Sequence, residues 1–439
     1  MINQRWVKDN LEAIAIAVVM ALVIRQFAVE AFKIPTESMA PTLFGERRGL
    51  SGDRILVDKI GPMLHGYQRF DVVVFKYPVN ASKNYIKRLI GLPGEKLSIR
   101  DGDIWIDGKI ARKPEDVQEV LFFQICPAEG ETRREVGDRW HLPRTGWKRL
   151  DEGDFEATVL DDMSFALFAR KVKDVCPWAG EGDGVYAMGD VRLRVTVKPL
   201  APGGTVILRI IEGGVTNDLV LAVGSGDSRL SRGEERVPLP GIVLSPGEET
   251  EVSFTNVDDA ILVEVGGTRF RYEYETSGDV NHATDAVSFG VEQASVRFTE
   301  PTIWRDIHYE KKGRGDEITI PGGHYFMLGD NSRRSKDSRV WAVRIYEMKD
   351  GTTFRYDDTE METRPRAGPE PGTLVFLDQE GIVRTIREAD VARERSEAAP
   401  FVPERNMVGR AFFIFWPLKF FPAWSKKASK DQFRLRFIR

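Results

Sequence analysis

What most limits the fold of this chain is its alternation. The stretches "DRILVDK" (53–59), "DVVVFKYP" (71–78), "KLSIRDGDIWIDGKI" (96–110) and "HYFMLGD" (324–330) place apolar side chains at every second position. That spacing gives a strand one buried face. Asp101-Gly102 and Asp107-Gly108 supply the residues that tight hairpins require, and "LPGE" (92–95) marks a turn after a strand. No long amphipathic helix interrupts these segments, so the fold is expected to be mainly β. The 439 residues leave room for two or three domains. A second set of alternating segments, among them "VRLRVTVKPL", "GTVILRIIEGG" and "ETEVSFTNVDDAILVEVGGTRFRYEY", predicts a β-sandwich over 190–305. Residues 113–189 carry no assignable pattern. The run 342–401 includes "TRPRAGPEPG" and "READVARERSEA". It reads as a polar, mobile surface insertion with one hairpin near "TLVFLDQEGIVRT".

The N-terminus breaks this pattern. Residues 13–24, "AIAIAVVMALVI", hold no charge, Pro or Gly. As a helix they would reach about 18 Å, short of a bilayer core of about 30 Å. Extension to 11–30 gives the length, with Glu12 and Arg25 near the ends, where long side chains snorkel to headgroups. A cleaved leader would need a small-x-small site after the run, and only "AVEA" offers one. The expectation is a transmembrane anchor at 11–30 behind a short tail at 1–10. Charge leaves its orientation open, since Arg5 and Lys8 precede it and Arg25 and Lys33 follow. The C-terminal "AFFIFWPLKFFPAW" (411–424) is too short and too rich in Pro to span. Its first part fits a core strand, and the rest fits either an interfacial patch or plain core.

A net charge of −4 gives no reason to expect nucleic acid as a partner. Cys126 and Cys176 are too few and too far apart for a zinc site. They are compatible either with one bridge in an exported compartment or with two separate buried thiols. Asp258 and Asp259, at a hairpin tip, read as a solvated turn, and no metal or other cofactor is expected.

The chemistry centres on "FKIPTESMAPTL" (32–43). A serine hydroxyl needs a base beside it to act as a nucleophile near neutral pH. None of the five histidines, His65, His141, His282, His308 and His324, sits in a nucleophile motif, and there is no GxSxG elbow. In "NYIKRLIGLPGE" (84–95), Lys87 closes an apolar stretch. If alternation points it inward, burial disfavours the ammonium, and the neutral amine can take the proton of Ser38.

"IPTESMAPTL", "GDRILVDK", "YIKRLIGLPGE" and "GDNSRRSKDSRVW" occur in this order behind an apolar segment. In this the chain closely resembles the bacterial type I signal peptidases, membrane-bound Ser–Lys endopeptidases that remove signal peptides from exported proteins. The resemblance covers 1–112, 306–341 and 402–439, which implies a catalytic domain of signal-peptidase type built from 31–112, 306–341 and 402–439. It implies Ser38 as nucleophile and Lys87 as general base. Ser335 would orient the amine by a hydrogen bond, and Thr36 would serve the oxyanion hole with the Ser38 N–H. Phe32, Ile34, Leu43, Tyr85 and Ile86 would line small apolar S1 and S3 pockets. Arg88, Asp330, Asp337 and Arg339 would form a structural polar network, with Arg88 paired to Asp330. The implied partners are signal peptides with small residues at −1 and −3, membrane lipid and the protein-export machinery. The implied location is the cytoplasmic membrane of a bacterium, with the catalytic domain on its outer side.

The chain departs from the family where Asn84 and Glu95 stand in place of frequent Asp, and where Ala342 replaces a common Gly. Its larger departure is the material between the motifs. Within it, "FTNVDDAILVEVGGTRF" is similar to laminin-G or concanavalin-like jelly rolls, many of which bind sugars. A second function class therefore stands beside the peptidase: a membrane-anchored glycan- or protein-binding module on an inactive peptidase frame. A self-cleaving repressor with a similar dyad is disfavoured, because there is an apolar anchor and no DNA-binding segment.

Overall fold

The computed structural model describes residues 11–20, 27–46, 52–127, 132–150, 153–174, 184–276, 280–312, 315–359, 363–416 and 436–439. They form two compact units. The first comprises Met1–Ile99, Ile104–Lys109 and Tyr309–Arg439, and the second comprises Arg100–Asp103 and Ile110–His308.

The first unit is organised by one antiparallel sheet. Its strands run in the order Val29–Lys33, Arg54–Asp58, Met407–Trp416, Val72–Lys76, Asn84–Gly91, His324–Leu328 and Phe401–Pro403, with Arg436–Phe437 beside Met407–Trp416. Alternation loads both faces. One carries Val73, Phe75, Leu89 and Met327 beneath Trp341, Val343 and Ile345. The other carries Ile55, Val57, Val72, Val74 and Ile414 beneath Ile34, Met39 and Leu43. The loop bearing Ser38 thus roofs one core, and the loop after His324–Leu328 leads to Trp341 in the other. "AFFIFW" joins the strand Met407–Trp416, as its pattern suggests, and 417–424 lie outside the described residues.

Residues 342–401 require a correction. Those that are described form β structure, with Ala342–Met348 between Thr353–Asp357 and Val391–Ala398, and a second sheet of Arg366–Ala367, Thr373–Leu377 and Val383–Arg387. The expected hairpin is the pair Thr373–Leu377 and Val383–Arg387. A small core of Tyr346, Tyr356, Phe376 and Ile386 closes the segment. One large apolar residue from each of four strands suffices to order a run whose composition is polar.

The second unit is a β-sandwich. One sheet runs Trp147–Arg149, Phe155–Thr158, Ser295–Arg305, Val191–Pro199, Thr250–Val257, Ala260–Val265 and Thr268–Glu273. The other runs Glu235–Pro238, Arg229–Arg232, Val215–Ala222, Thr205–Glu212, Ala286–Glu292, Met163–Phe168 and Trp140–His141. A shared core joins them through Leu193, Phe254, Phe289, Phe298, Leu208 and Trp140. The sandwich therefore extends beyond 190–305. Phe155–Thr158 pairs with Ser295–Arg305, and Met163–Phe168 pairs with Ala286–Glu292, so the previously unassigned stretch contributes to both sheets.

At the N-terminus, residues 11–20 are helical and leave Leu11, Ile14, Val18 and Val19 more than half exposed. Residues 21–26 lie outside the described residues, and Val29 already belongs to a strand. Among the described residues no helix is long and apolar enough to cross a membrane. Cys126 is buried, while Cys176 lies outside the described residues.

Candidate active site

Lys87 sits inside the strand Asn84–Gly91, opposite Val73 of the neighbouring strand. Period two sends Tyr85, Lys87 and Leu89 to one face and Ile86 and Arg88 to the other. Lys87 is only 4 % exposed, and its Nζ is hydrogen-bonded to Ser38 Oγ, 49 positions earlier in the chain. Ser38 is itself 9 % exposed.

Several backbone ties hold the Ser38 turn. The Ala40 N–H donates to Glu37 O at 3.1 Å, and the Leu43 N–H donates to Met39 O at 2.8 Å. Ile34 N–H donates to Asp53 O at 2.8 Å, and Asp53 in turn accepts from Phe44 N–H at 2.8 Å through its carboxylate. From the other motif, Asn331 N–H donates to Ser38 O at 3.0 Å, and Asn331 Nδ2 donates to Glu37 O at 3.2 Å. Thr36 is exposed, with its Oγ1 3.4 Å from Ser38 Oγ.

The polar residues form two ion pairs. Arg88 is fully buried and grips Asp330 with Nε and Nη2, both at 2.8 Å, while Nη1 donates to Phe70 O at 2.7 Å. Thr42 Oγ1 donates to the same Asp330 carboxylate. This ties the Ser38 loop, the Lys87 strand and the third motif to one anchor. Asp337 accepts from Arg339 Nε at 2.8 Å, from Arg339 Nη2 at 2.6 Å and from Gly329 N–H at 3.0 Å. Burial pushes the Asp337 carboxyl up, but Arg339 and the Gly329 hydrogen bond hold it below the usual carboxylate range.

Ser335 lies in the loop that follows. Its Oγ is buried and, among the described residues, has no hydrogen-bond partner, so the expected bond to the Lys87 amine is not made in this geometry. The hydroxyl is nevertheless at the site. A Cβ added to Gly329 would lie 2.2 Å from Ser335 Oγ and 2.5 Å from Ser38 O. Gly329 is a residue that the sequence reading passed over, because its requirement comes from close approach and not from a turn. Gly45 is similar, since a Cβ there would lie 2.3 Å from the Thr36 carbonyl carbon.

The expected pocket residues divide. Ile34 and Leu43 are buried in one core, with Phe32 and Ile86 packed against them. Leu43 is fully enclosed, so it shapes the wall without presenting a surface. Tyr85 packs on the opposite core, stacked on Tyr77 at 4.3 Å and edge-on to Trp341.

A separate acidic cluster occupies the second unit. Carboxylate oxygens of Asp103, Asp190 and Asp258 lie within 4.8 Å of one another. The cluster already holds a cation in Lys113, which is ion-paired to Asp258 and, at 2.8 Å, to Asp306. Burial would lower the Lys113 ammonium, but Asp258 and Asp306 hold it well above the ordinary lysine value. Asp258 and Asp259 are buried, which corrects the solvated-turn reading. Asp258 also accepts from Lys113 N–H at 3.0 Å, and Asp259 from Thr276 N–H at 2.8 Å.

Comparison with known proteins gives a family for the chain. The family model described as "Signal peptidase, peptidase S26" matches residues 4–126 and 247–353. The "Probable signal peptidase I-2" of Synechocystis sp. is 37 % identical over 182 residues, covering 34 % of this chain and 80 % of that protein. The "Probable signal peptidase I-1" of the same organism is 33 % identical over 112 residues, covering 24 % of this chain and 54 % of its own length. The chain spans about half the length of most of the curated relatives it matches. Among solved structures, the carbohydrate-binding module CBM66 from Bacillus subtilis matches 38 % of this chain and 94 % of its own length. That match has 10 % identity and a TM-score of 0.26, too slight a likeness to carry an argument.

Proposed function

Since the chain belongs to the signal peptidase family, peptidase S26, we propose that it is a membrane-bound serine endopeptidase that removes N-terminal signal peptides from exported preproteins through a Ser38 acyl-enzyme. The observation that carries this reading is the hydrogen bond between Lys87 Nζ and Ser38 Oγ in a nearly water-free setting. In the first step the neutral Lys87 amine takes the Ser38 proton as Oγ attacks the scissile carbonyl. The tetrahedral oxyanion is met by the Thr36 hydroxyl and the Ser38 N–H. One such donor is worth roughly 10²–10³-fold in rate. Collapse expels the mature chain's amino group, which receives the proton from Lys87. Water then attacks the ester with Lys87 again as base, which frees the signal peptide as a carboxylate and restores Ser38.

Ser335 serves here as a nearby hydroxyl for the Lys87 amine once substrate has entered. Phe32, Ile34, Leu43 and Ile86 shape walls that admit only small side chains at −1 and −3, and Tyr85 backs Lys87 from its own face. Arg88–Asp330 and Asp337–Arg339 hold the three motifs together. An extended substrate would add its backbone to a sheet edge.

The apolar segment that starts at residue 11 acts as the anchor in this reading and ends before the strand that begins at Val29, supported by the apolar side chains that the helix 11–20 leaves exposed. The location is the cytoplasmic membrane of a bacterium, with the first unit on the outer side, where exported chains present their cleavage sites to it. The test is incubation of the full chain in detergent with a preprotein bearing Ala at −1 and −3, the cut mapped by mass spectrometry. The reading requires a cut after the −1 Ala and its loss when that residue is replaced by Trp. Cleavage elsewhere, or indifference to the −1 residue, contradicts it.

A further inference from the structure

Lys312 lies outside every motif considered so far, yet it grips the loop that carries Ser335. Its Nζ donates to three backbone carbonyls of that loop: Ser332 O at 2.7 Å, Arg333 O at 2.9 Å and Ser335 O at 3.2 Å. An ammonium has three N–H donors, so all are committed to one loop. Three further hydrogen bonds run alongside. Glu310 N–H donates to Ser332 Oγ at 2.8 Å, and Arg339 donates to Ser332 O at 2.9 Å and to Glu310 O at 2.8 Å.

The loop has a reason to need a clamp. Ser335 Oγ is buried and makes no hydrogen bond of normal geometry among the described residues, although it lies close enough to Asp337 to help hold that carboxyl down. An unpartnered buried hydroxyl is unfavourable, and a small loop rotation would turn it out to water or to another acceptor. Charge-assisted bonds to the carbonyls of Ser332, Arg333 and Ser335 oppose that rotation, because each is stronger than a neutral hydrogen bond. The clamp therefore keeps a hydroxyl beside Gly329 and the Ser38 carbonyl without consuming the hydroxyl itself.

We propose that Lys312 is a positioning residue of the peptidase, whose ammonium holds the Ser332–Ser335 backbone so that Ser335 Oγ stays presented to the Lys87–Ser38 pair. The role rests on the reading of Ser38 and Lys87 as the dyad. It also sets a pH signature. The charged groups facing Lys312 are Arg339, Asp337 and Glu310; burial first and then Arg339 lower its pKa, while Asp337 and Glu310 oppose this. In alkaline solution the amine keeps two donors and turns a lone pair toward the carbonyls. The clamp then loosens, and the rate falls at high pH for a reason independent of Lys87.

The experiment compares wild type, Lys312→Met and Lys312→Arg as full-length protein in detergent. It measures kcat, KM and pH profile on a peptide with Ala at −1 and −3, together with amide hydrogen exchange in 331–335 at neutral pH. Lys312→Met should lower kcat by about tenfold or more with KM within about twofold. It should also speed exchange in that loop and remove the alkaline fall. Lys312→Arg should recover most of kcat and move the alkaline fall upward. Wild-type kcat in Lys312→Met overturns the proposal. So does slow turnover shared equally by both variants with an unchanged pH profile and unchanged exchange, which marks a merely structural lysine. A folded wild type that leaves the peptide intact overturns the dyad reading and this role with it. A wild type that cuts, with Lys312→Met indistinguishable from it, overturns this role alone.

Discussion

Ser38 Oγ and Lys87 Nζ are hydrogen-bonded across 49 residues of chain, between a loop that roofs one face of the sheet and a strand whose lysine is 4 % exposed. Little water is left to solvate an ammonium there, and only the neutral amine has a lone pair for the serine proton. Cleavage should therefore rise with pH from pH 5 toward mildly alkaline values. A pH–rate profile of kcat/KM on a short peptide checks this. A maximum near pH 5 would remove the amine from the role of base.

Gly329 gives a steric prediction. A methyl group there meets Ser335 Oγ at 2.2 Å and Ser38 O at 2.5 Å, and the second obstacle is backbone that cannot swing away. Gly329→Ala should lower kcat by about 10²-fold, the order expected for a displacement near 1 Å of a reacting group. It should also lower Tm. Steady-state kinetics beside a thermal melt decide this, and wild-type kcat in the alanine variant would show that the two loops are not held as described.

The second unit gives a prediction about dispensability. Every residue assigned to the chemistry lies in the first unit. Replacing residues 111–308 with a short Gly/Ser linker should keep kcat/KM on a short peptide within about tenfold, or about 1.4 kcal/mol. Replacing 190–305 alone should instead give an aggregating protein, because Phe155–Thr158 and Met163–Phe168 lose their partner strands. Size-exclusion chromatography and peptide kinetics of the two variants separate these outcomes. A soluble, active 190–305 replacement would contradict the sandwich boundaries.

Asp306 offers a pH test of stability. Burial pushes its carboxyl up to about 6 despite the attraction of Lys113. A carboxyl raised above its unfolded value binds more protons in the folded state, so its contribution is present at low pH and is lost as pH rises from about 4 through 6. Against Asp306→Asn as a reference without this titration, wild type should lose roughly 2–3 kcal/mol between pH 4 and pH 7. Denaturant melts of both proteins across that range measure the difference, and parallel curves would contradict it.

The strands around Ser38 and Lys87 were legible because each carries its own period-two pattern and turn residues, and because the motifs are contiguous. The remainder depended on partners distant in sequence. Asp258 reads as solvated until Lys113, 145 positions away, is placed against it. Strands at 155–158 and 163–168 are four and six residues long and acquire meaning only through pairing with 286–305, and the three-residue strand 147–149 only through pairing with 155–158. The run 342–401 looks polar because its buried core draws single large residues, three aromatic and one aliphatic, from separate strands. Gly329 and Lys312 were invisible for the same reason, since their requirements arise from a carbonyl or hydroxyl brought near by the fold.

The most direct test of the central claim is kcat/KM on one signal-peptide substrate for Ser38→Ala, Lys87→Ala and the double variant, each shown to be folded. Two groups acting as one unit give non-additive losses. The account predicts that each single variant loses about 10³-fold or more and that the double variant loses no more than either. Robust cleavage by either single variant, or a double variant that loses the product of the two, would contradict it.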